Sequence, residues 1–217
     1  MLRTILIFVL TLSCYPATMV SGYFTKTENA KEILKKVKTK YSKLKTLKAE
    51  FEKVYFWELA GETQTTNGTL YLNAENHYRI EIESQIVVTD GETVWSYSKN
   101  NNQVIIDLLS NTEENPLPRD LMLKYSEDFI PHFVGEEKLH NKMTYRLNLI
   151  PKDEEAFIKS MIIWVDKASW LTIKIVQTDI NDNVNSYYVK NVEQNIDLPH
   201  SLFTFEIPKD AEVVDLR

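Results

Sequence analysis

The sequence predicts a mainly β fold, an antiparallel barrel or a strongly curved sheet. Three observations carry that expectation. Roughly ten short stretches alternate apolar and polar residues with a period of two. Turn residues punctuate them at short intervals, as in Asp90-Gly91, Asn100–Asn102 and Asn181-Asp182-Asn183. Helical spacing appears in only two places, near the start and near the middle. Strands with one apolar face each, joined by short turns, curl so that the apolar face turns inward. The two helical stretches can then lay their own apolar sides over the open mouth.

The chain has 217 residues, 43% hydrophobic and 26% charged, a globular composition within the range of one domain. Its first 22 residues read as an export signal: Arg3 ahead of the apolar run Ile5–Leu12, then Val20-Ser21-Gly22 as a small-residue cleavage pattern. Cys14 follows Leu12-Ser13, but Thr11 stands where lipid-attachment sites favour an aliphatic residue, so plain cleavage is expected. Residues 23–217 are then expected to form a single exported domain without cysteine. They carry 24 basic and 31 acidic residues, which argues against nucleic acid as a partner.

From residue 23 the first element expected is an amphipathic helix over Thr27–Leu44. Ile33, Leu34, Val37, Tyr41 and Leu44 share one face, and Lys31, Lys35, Lys36, Lys38, Lys40 and Lys43 cover the other. The lysine face reads first as solvated and second as a surface for anionic headgroups. Strands are expected at Leu47–Trp57, Thr65–Asn73, Tyr78–Glu83, Ile86–Val88, Val94–Tyr97 and Gln103–Leu109. The hairpin Ser84–Tyr97, turning at Asp90-Gly91, is placed in the middle of the sheet. Asn115-Pro116-Leu117-Pro118 breaks the pattern. Pro118–Phe129, with Leu121, Met122, Tyr125 and Phe129 at helical spacing, reads as a short helix or a pair of turns. Strands resume at Lys142–Ile150, Ile158–Asp166, Leu171–Asp179 and Val184–Val192, with a last one at Phe203–Ile207.

Motifs for catalysis and metal binding are missing from the sequence. His77, His132, His140 and His200 lack zinc-ligand spacing, there is no nucleophile elbow or phosphate loop, and the outward pair Glu81 and Glu83 reads as solvated. No enzyme, metal or cofactor is expected. What stands out is aromatic loading on successive strands, with Phe51, Tyr55, Trp57, Tyr78, Trp95 and Tyr97.

Several of these segments together resemble a known family. Leu47-x-Ala49-x-Phe51 is followed by Gly68-x-Leu70-Tyr71-Leu72 and an aromatic-led strand at Tyr78. The hairpin Val88-Thr89-Asp90-Gly91-Glu92-Thr93-Val94-Trp95-Ser96-Tyr97 comes next, and Phe203-Thr204-Phe205-Glu206-Ile207-Pro208 lies near the C-terminus. In that order and behind an export signal, these segments resemble the periplasmic outer-membrane lipoprotein carrier family, LolA-like, over about Ala30 to Val214.

The resemblance implies an unclosed antiparallel β-barrel whose concave apolar face is lidded by about two to three helices. It implies a monomeric carrier taking up the acyl chains of lipoproteins from an inner-membrane ABC transporter and releasing them to an outer-membrane acceptor. The cavity wall would include Phe51, Tyr78, Ile80 and Ile82, extended along the strands to Tyr55, Ile86, Val88 and Trp95. The lid would draw on Ile33, Val37, Leu121 and Met122. Ala74-Glu75 stands where the best-known branch has an Arg-Pro pair that helps latch the lid. A related branch uses the same fold to sense lipids or lipoproteins and signal to a protein partner.

Overall fold

The order of strands in the sheet explains how the chain wraps. The computed structural model describes residues 22–73, 76–112 and 125–217. Helix α1 (Gly22–Lys43) leads into β1 (Thr46–Trp57), β2 (Glu62–Asn73), β3 (Tyr78–Ile82), β4 (Gln85–Thr89), β5 (Thr93–Ser98) and β6 (Gln103–Leu108). A 3-10 turn (Leu109–Thr112) follows. Then come the single-turn helix α2 (Tyr125–Asp128), β7 (Phe129–Leu139), β8 (Lys142–Pro151), β9 (Ile158–Asp166), β10 (Thr172–Asp179) and β11 (Val184–Gln194). A second 3-10 turn (His200–Phe203) and β12 (Glu212–Asp215) close the chain.

The twelve strands of the described residues belong to one sheet, in the order β12-β6-β5-β4-β3-β2-β1-β11-β10-β9-β8-β7. Two meanders, β1–β6 and β7–β11, are thus sewn together where β1 pairs with β11. The two ends of the sheet do not meet, so the barrel is unclosed. All its pairings are antiparallel except β12 with β6, which is parallel.

Short polar side chains close the hairpins. Asp90 Oδ1 accepts from the backbone N–H groups of Glu92 (3.0 Å) and Thr93 (2.8 Å), with Gly91 at a φ of 91°. Asp179 Oδ1 does the same for Asn181 (2.8 Å) and Asn183 (3.0 Å). In each case the carboxylate satisfies backbone donors that the turn withholds from the ladder.

Cross-strand partners in the ladder share a face, which fixes the two sides of the sheet. Leu47↔Leu72, Ala49↔Leu70, Leu70↔Ile80 and Leu72↔Tyr78 define the inner face on one half. Ile175↔Ile163, Leu147↔Ile163 and Leu149↔Met161 define it on the other. The apolar stripe of α1 (Ala30, Ile33, Leu34, Val37, Tyr41), continued by Leu44 just past its end, lies against both and makes one buried cluster with them. The buried Tyr41 hydroxyl accepts the backbone N–H of Thr172 at 3.3 Å, tying the last turn of the helix to β10. Burial raises the Tyr41 hydroxyl well above its ordinary value of 10.0, the bond from Thr172 offsetting part of the shift.

The outer face is closed differently. Val88↔Trp95 and Trp95↔Ile106 share that side with Arg79, whose guanidinium donates to the Leu202 carbonyl at 3.4 Å. The stretch from His200 to Phe205 lies there, with Phe203 fully buried and Phe205 5.7 Å from the Tyr97 ring.

Several expectations are corrected. The Ser84–Tyr97 hairpin forms, but toward one edge of the sheet; the middle is β1. Phe129 begins a strand instead of ending a helix, and β7 is an additional strand at the opposite edge. Pro131 is tolerated there because an edge strand has one side free of ladder bonds. Phe203–Ile207 is not a strand: its aromatics plug the outer face, and the terminal strand is β12. Instead of two or three lid helices, one long helix, α1, is present among the described residues.

Two tests follow from the packing. A Cβ added at Gly68 would sit 2.5 Å from Phe51 Cζ and 2.6 Å from the Glu81 carbonyl oxygen. Gly68→Ala should therefore lower stability by about 1–3 kcal/mol in urea unfolding. Adding Phe51→Ala should not restore it, because the clash with backbone remains. Burial also raises Tyr78 and Tyr187, alongside Tyr41. With folded values above the unfolded value of 10.0, these tyrosines contribute stability below pH 10 that fades as pH rises beyond it. Tyr41→Phe should cost about 1–3 kcal/mol at neutral pH by orphaning the Thr172 N–H. It should also make the alkaline loss, followed by circular dichroism, less steep.

Candidate functional site

Burial along the inner face falls away from the helix. On β1, Leu47 and Ala49 are buried, Phe51, Lys53 and Tyr55 are half-buried, and Trp57 is exposed. The neighbouring strands repeat the gradient. Leu72 and Leu70 on β2 give way to Thr66 and Gln64, Tyr78 on β3 to Ile80 and Ile82, and Ile175 on β10 to Gln177. One end of the concave face is packed under α1 and the other is an open trough. Gly68 makes its floor possible, since the Phe51 ring lies over the position a side chain would occupy. The Tyr187 ring and Val189 on β11 continue the floor across the seam, opposite Lys53 and Phe51.

The register shows where each expected wall residue lies. Phe51, Tyr55, Tyr78, Ile80 and Ile82 share the inner face, with Tyr78 at the packed end and the other four along the trough. Ile86, Val88 and Trp95 do not join them. Because Ile80 pairs with Val87 and Thr89 with Tyr78, the inward residues of β4 are Val87 and Thr89. Ile86, Val88 and Trp95 point outward, on the side that carries the His200–Phe205 stretch. Val87 is thus a wall residue that periodicity missed. Three consecutive β-branched residues carry no alternation, and the facing strand settles which one turns inward.

Of the lid residues, Ile33 and Val37 are buried in the α1 stripe. Leu121 and Met122 lie outside the described residues, as do Ala74 and Glu75. A small, shallow cleft opens where α1 meets β1, between Tyr41, Leu44, Leu47 and Leu72.

The trough ends in an apolar rim. Leu59 (87% exposed), Phe157 (59%) and Ile180 (57%) sit on three loops at that end of the strands, with Trp57 (44%) at the end of β1 beside them. The loops are tied together: the Glu58 N–H donates to Asn183 Oδ1 at 3.1 Å, and the Ile180 N–H to the Phe157 carbonyl at 3.0 Å. Exposed large side chains clustered at a cavity mouth are a mark of a contact surface. By contrast, the outer side of the seam is charged, with Lys48–Glu193 and Lys190–Glu52 each at 2.9 Å. The lysine side of α1 is largely exposed. Lys38 pairs with Glu127 at 3.0 Å and Lys36 lies 4.5 Å above the Trp170 ring.

Chemically, a trough of this kind can hold an apolar guest. No group of three metal-ligating side chains comes together among the described residues.

An open half-barrel with a helix across one end of its concave face and an apolar floor at the other is a binding architecture. Residues 42–206 match the family model for the outer membrane lipoprotein carrier protein LolA, and the chain belongs to that family. An uncharacterised protein of Methanocaldococcus jannaschii is 29% identical over 88% of this chain, which spans 55% of that protein's length. An outer-membrane lipoprotein carrier protein of Haemophilus ducreyi is 26% identical over 78% of each chain. Among solved structures, an uncharacterised conserved protein from Thermus thermophilus shares the fold, with a TM-score of 0.60 at 18% identity. That match covers 86% of this chain and 99% of the other.

Proposed function

We propose that this protein is a periplasmic carrier whose trough takes up the acyl chains of lipoproteins. It would receive them from an inner-membrane ABC transporter and pass them to an outer-membrane acceptor. The observation that carries this reading is the half-covered concave face: a one-sided apolar sheet, packed under α1 at one end and open at a rim of exposed Trp57, Leu59, Phe157 and Ile180 at the other. Family membership supports the class of cargo.

Energetics shape how such a carrier works. Burying one acyl chain of about 16 carbons is worth on the order of 12 kcal/mol, at ~0.8 per CH₂. Full capture of two or three chains would exceed the practical ceiling near −20 kcal/mol, and the cargo would not leave. Release is preserved if part of the gain is spent on moving something already packed. The α1 stripe, seated on the same concave face, is that element.

Three measurements test the proposal. Titration with a synthetic diacylated lipopeptide should give saturable binding, and Phe51→Asp and Val87→Asp should each weaken it by at least about tenfold, the weight of a charge set in an apolar floor. Ile86→Thr, on the outer face, should leave affinity unchanged. Hydrogen exchange across Leu34–Leu44 should quicken when the lipopeptide binds; unchanged protection there would remove the idea of a displaced helix. Depletion of the protein in cells should strand lipoproteins at the inner membrane, and normal sorting after depletion would rule out the shuttle.

A further inference from the structure

Lys53 is out of character with its surroundings. The unbroken β1–β2 register places it on the inner face, between Phe51 and Tyr55 on its own strand and opposite Thr66 and Tyr187 on its neighbours. Its ammonium lies 5.7 Å from the centre of the Tyr187 ring and has no carboxylate partner among the described residues. The lysines on the other side of the seam are matched, Lys48 by Glu193 and Lys190 by Glu52. A half-buried cation set beside a ring and a neutral side chain, with no carboxylate paired to it among the described residues, gives up part of its hydration without gaining a counter-ion. A floor built for hydrocarbon alone would be served better by Leu or Met at this position.

A second observation falls on the same patch. Asn185, opposite Tyr55 and two positions from Tyr187, has a buried amide oxygen without a hydrogen-bond partner. Buried polar atoms of this kind are rare in folded proteins. Turning the amide by half a revolution would present its N–H to the same space instead. Gln64 and Gln177 lie on the adjoining strands, so a polar band crosses the trough between its apolar floor and its apolar rim.

We propose that this band, centred on Lys53 and Asn185, is a subsite for the acidic headgroup of an amphiphile whose hydrocarbon lies toward Phe51, Ile80 and Val87. Lys53 supplies the charge, Tyr187 holds the ammonium in place by cation–π contact, and the Asn185 amide completes the headgroup's hydrogen bonds. The proposal rests on the carrier reading and narrows it. The trough prefers lipids with an anionic head, a carboxylate or a phosphate, over neutral ones with the same tail.

Calorimetric titration of the purified protein with oleate, oleoyl lysophosphatidylglycerol and monoolein tests this. At least one of the two anionic lipids should bind about tenfold or more tightly than monoolein, the scale of one well-placed charge-assisted bond. Preference for oleate alone identifies a carboxylate, and preference for the lysophospholipid alone a phosphate. Lys53→Gln should reduce anionic binding to the monoolein level, Lys53→Arg should keep the preference, and Asn185→Asp, by giving Lys53 an internal counter-ion, should abolish it. Thermal melts establish that each variant is folded. Equal binding of all three lipids by the wild type, or an undiminished preference in folded Lys53→Gln, overturns the subsite and leaves the carrier standing. Failure to bind these lipids and the diacylated lipopeptide alike overturns both.

Discussion

Everything in this molecule follows from a mismatch between a wide one-sided sheet and the helix laid against it. A strand that alternates apolar and polar residues must hide one face. Side by side in one sheet, such strands present a long concave surface that is largely apolar. Helix α1 brings an apolar stripe from Ala30 to Leu44, which buries the end of the sheet around Leu47, Leu72, Leu147 and Ile163. Farther along the strands its stripe is used up. The side chains of β1, β3 and β11 there are half in contact with solvent, and the trough is the consequence.

The two faces of the sheet solve the burial problem in different ways, and only one solution leaves room. On the outside, the chain's own late residues from His200 to Phe205 lie over β3 and β5, and matched ion pairs cover the seam between β1 and β11. That side is finished. The inside depends on a helix whose grip includes one buried hydroxyl, that of Tyr41 on β10. The same chain thus combines a permanent closure with a partial one on opposite sides of a single layer.

Much of this was legible in the residues. Leu47, Ala49 and Phe51, like Tyr78, Ile80 and Ile82, state their inward face by strict alternation, and Asp90-Gly91 states its turn. Lys53 was equally visible, since the same alternation sets it on the apolar side of β1. Other features depend on partners far away in the chain. Ile86-Val87-Val88 is apolar throughout, and its orientation is decided by pairing with β3. Strand β7 hides behind Pro131 and the register shift near Gly135, both acceptable at an edge and both strand-breaking in isolation. Phe203 and Phe205 have the spacing of a strand, yet no neighbouring strand is available to them; they are spent on packing instead. Local pattern records which residues want burial, and long-range pairing decides against what.

The seam at the centre of the sheet also governs the order of events in folding. Residues that meet there, such as Phe51 and Val189 or Lys53 and Tyr187, stand more than half the chain apart in sequence. Each meander can form from contacts between near neighbours, but the two cannot be joined until β11 exists. Loop closure over such a span is slow compared with hairpin formation. For the whole of that interval β1 has β2 beside it and a bare edge on its other side, and the chain reaches its curved shape only when the second half arrives to claim that edge.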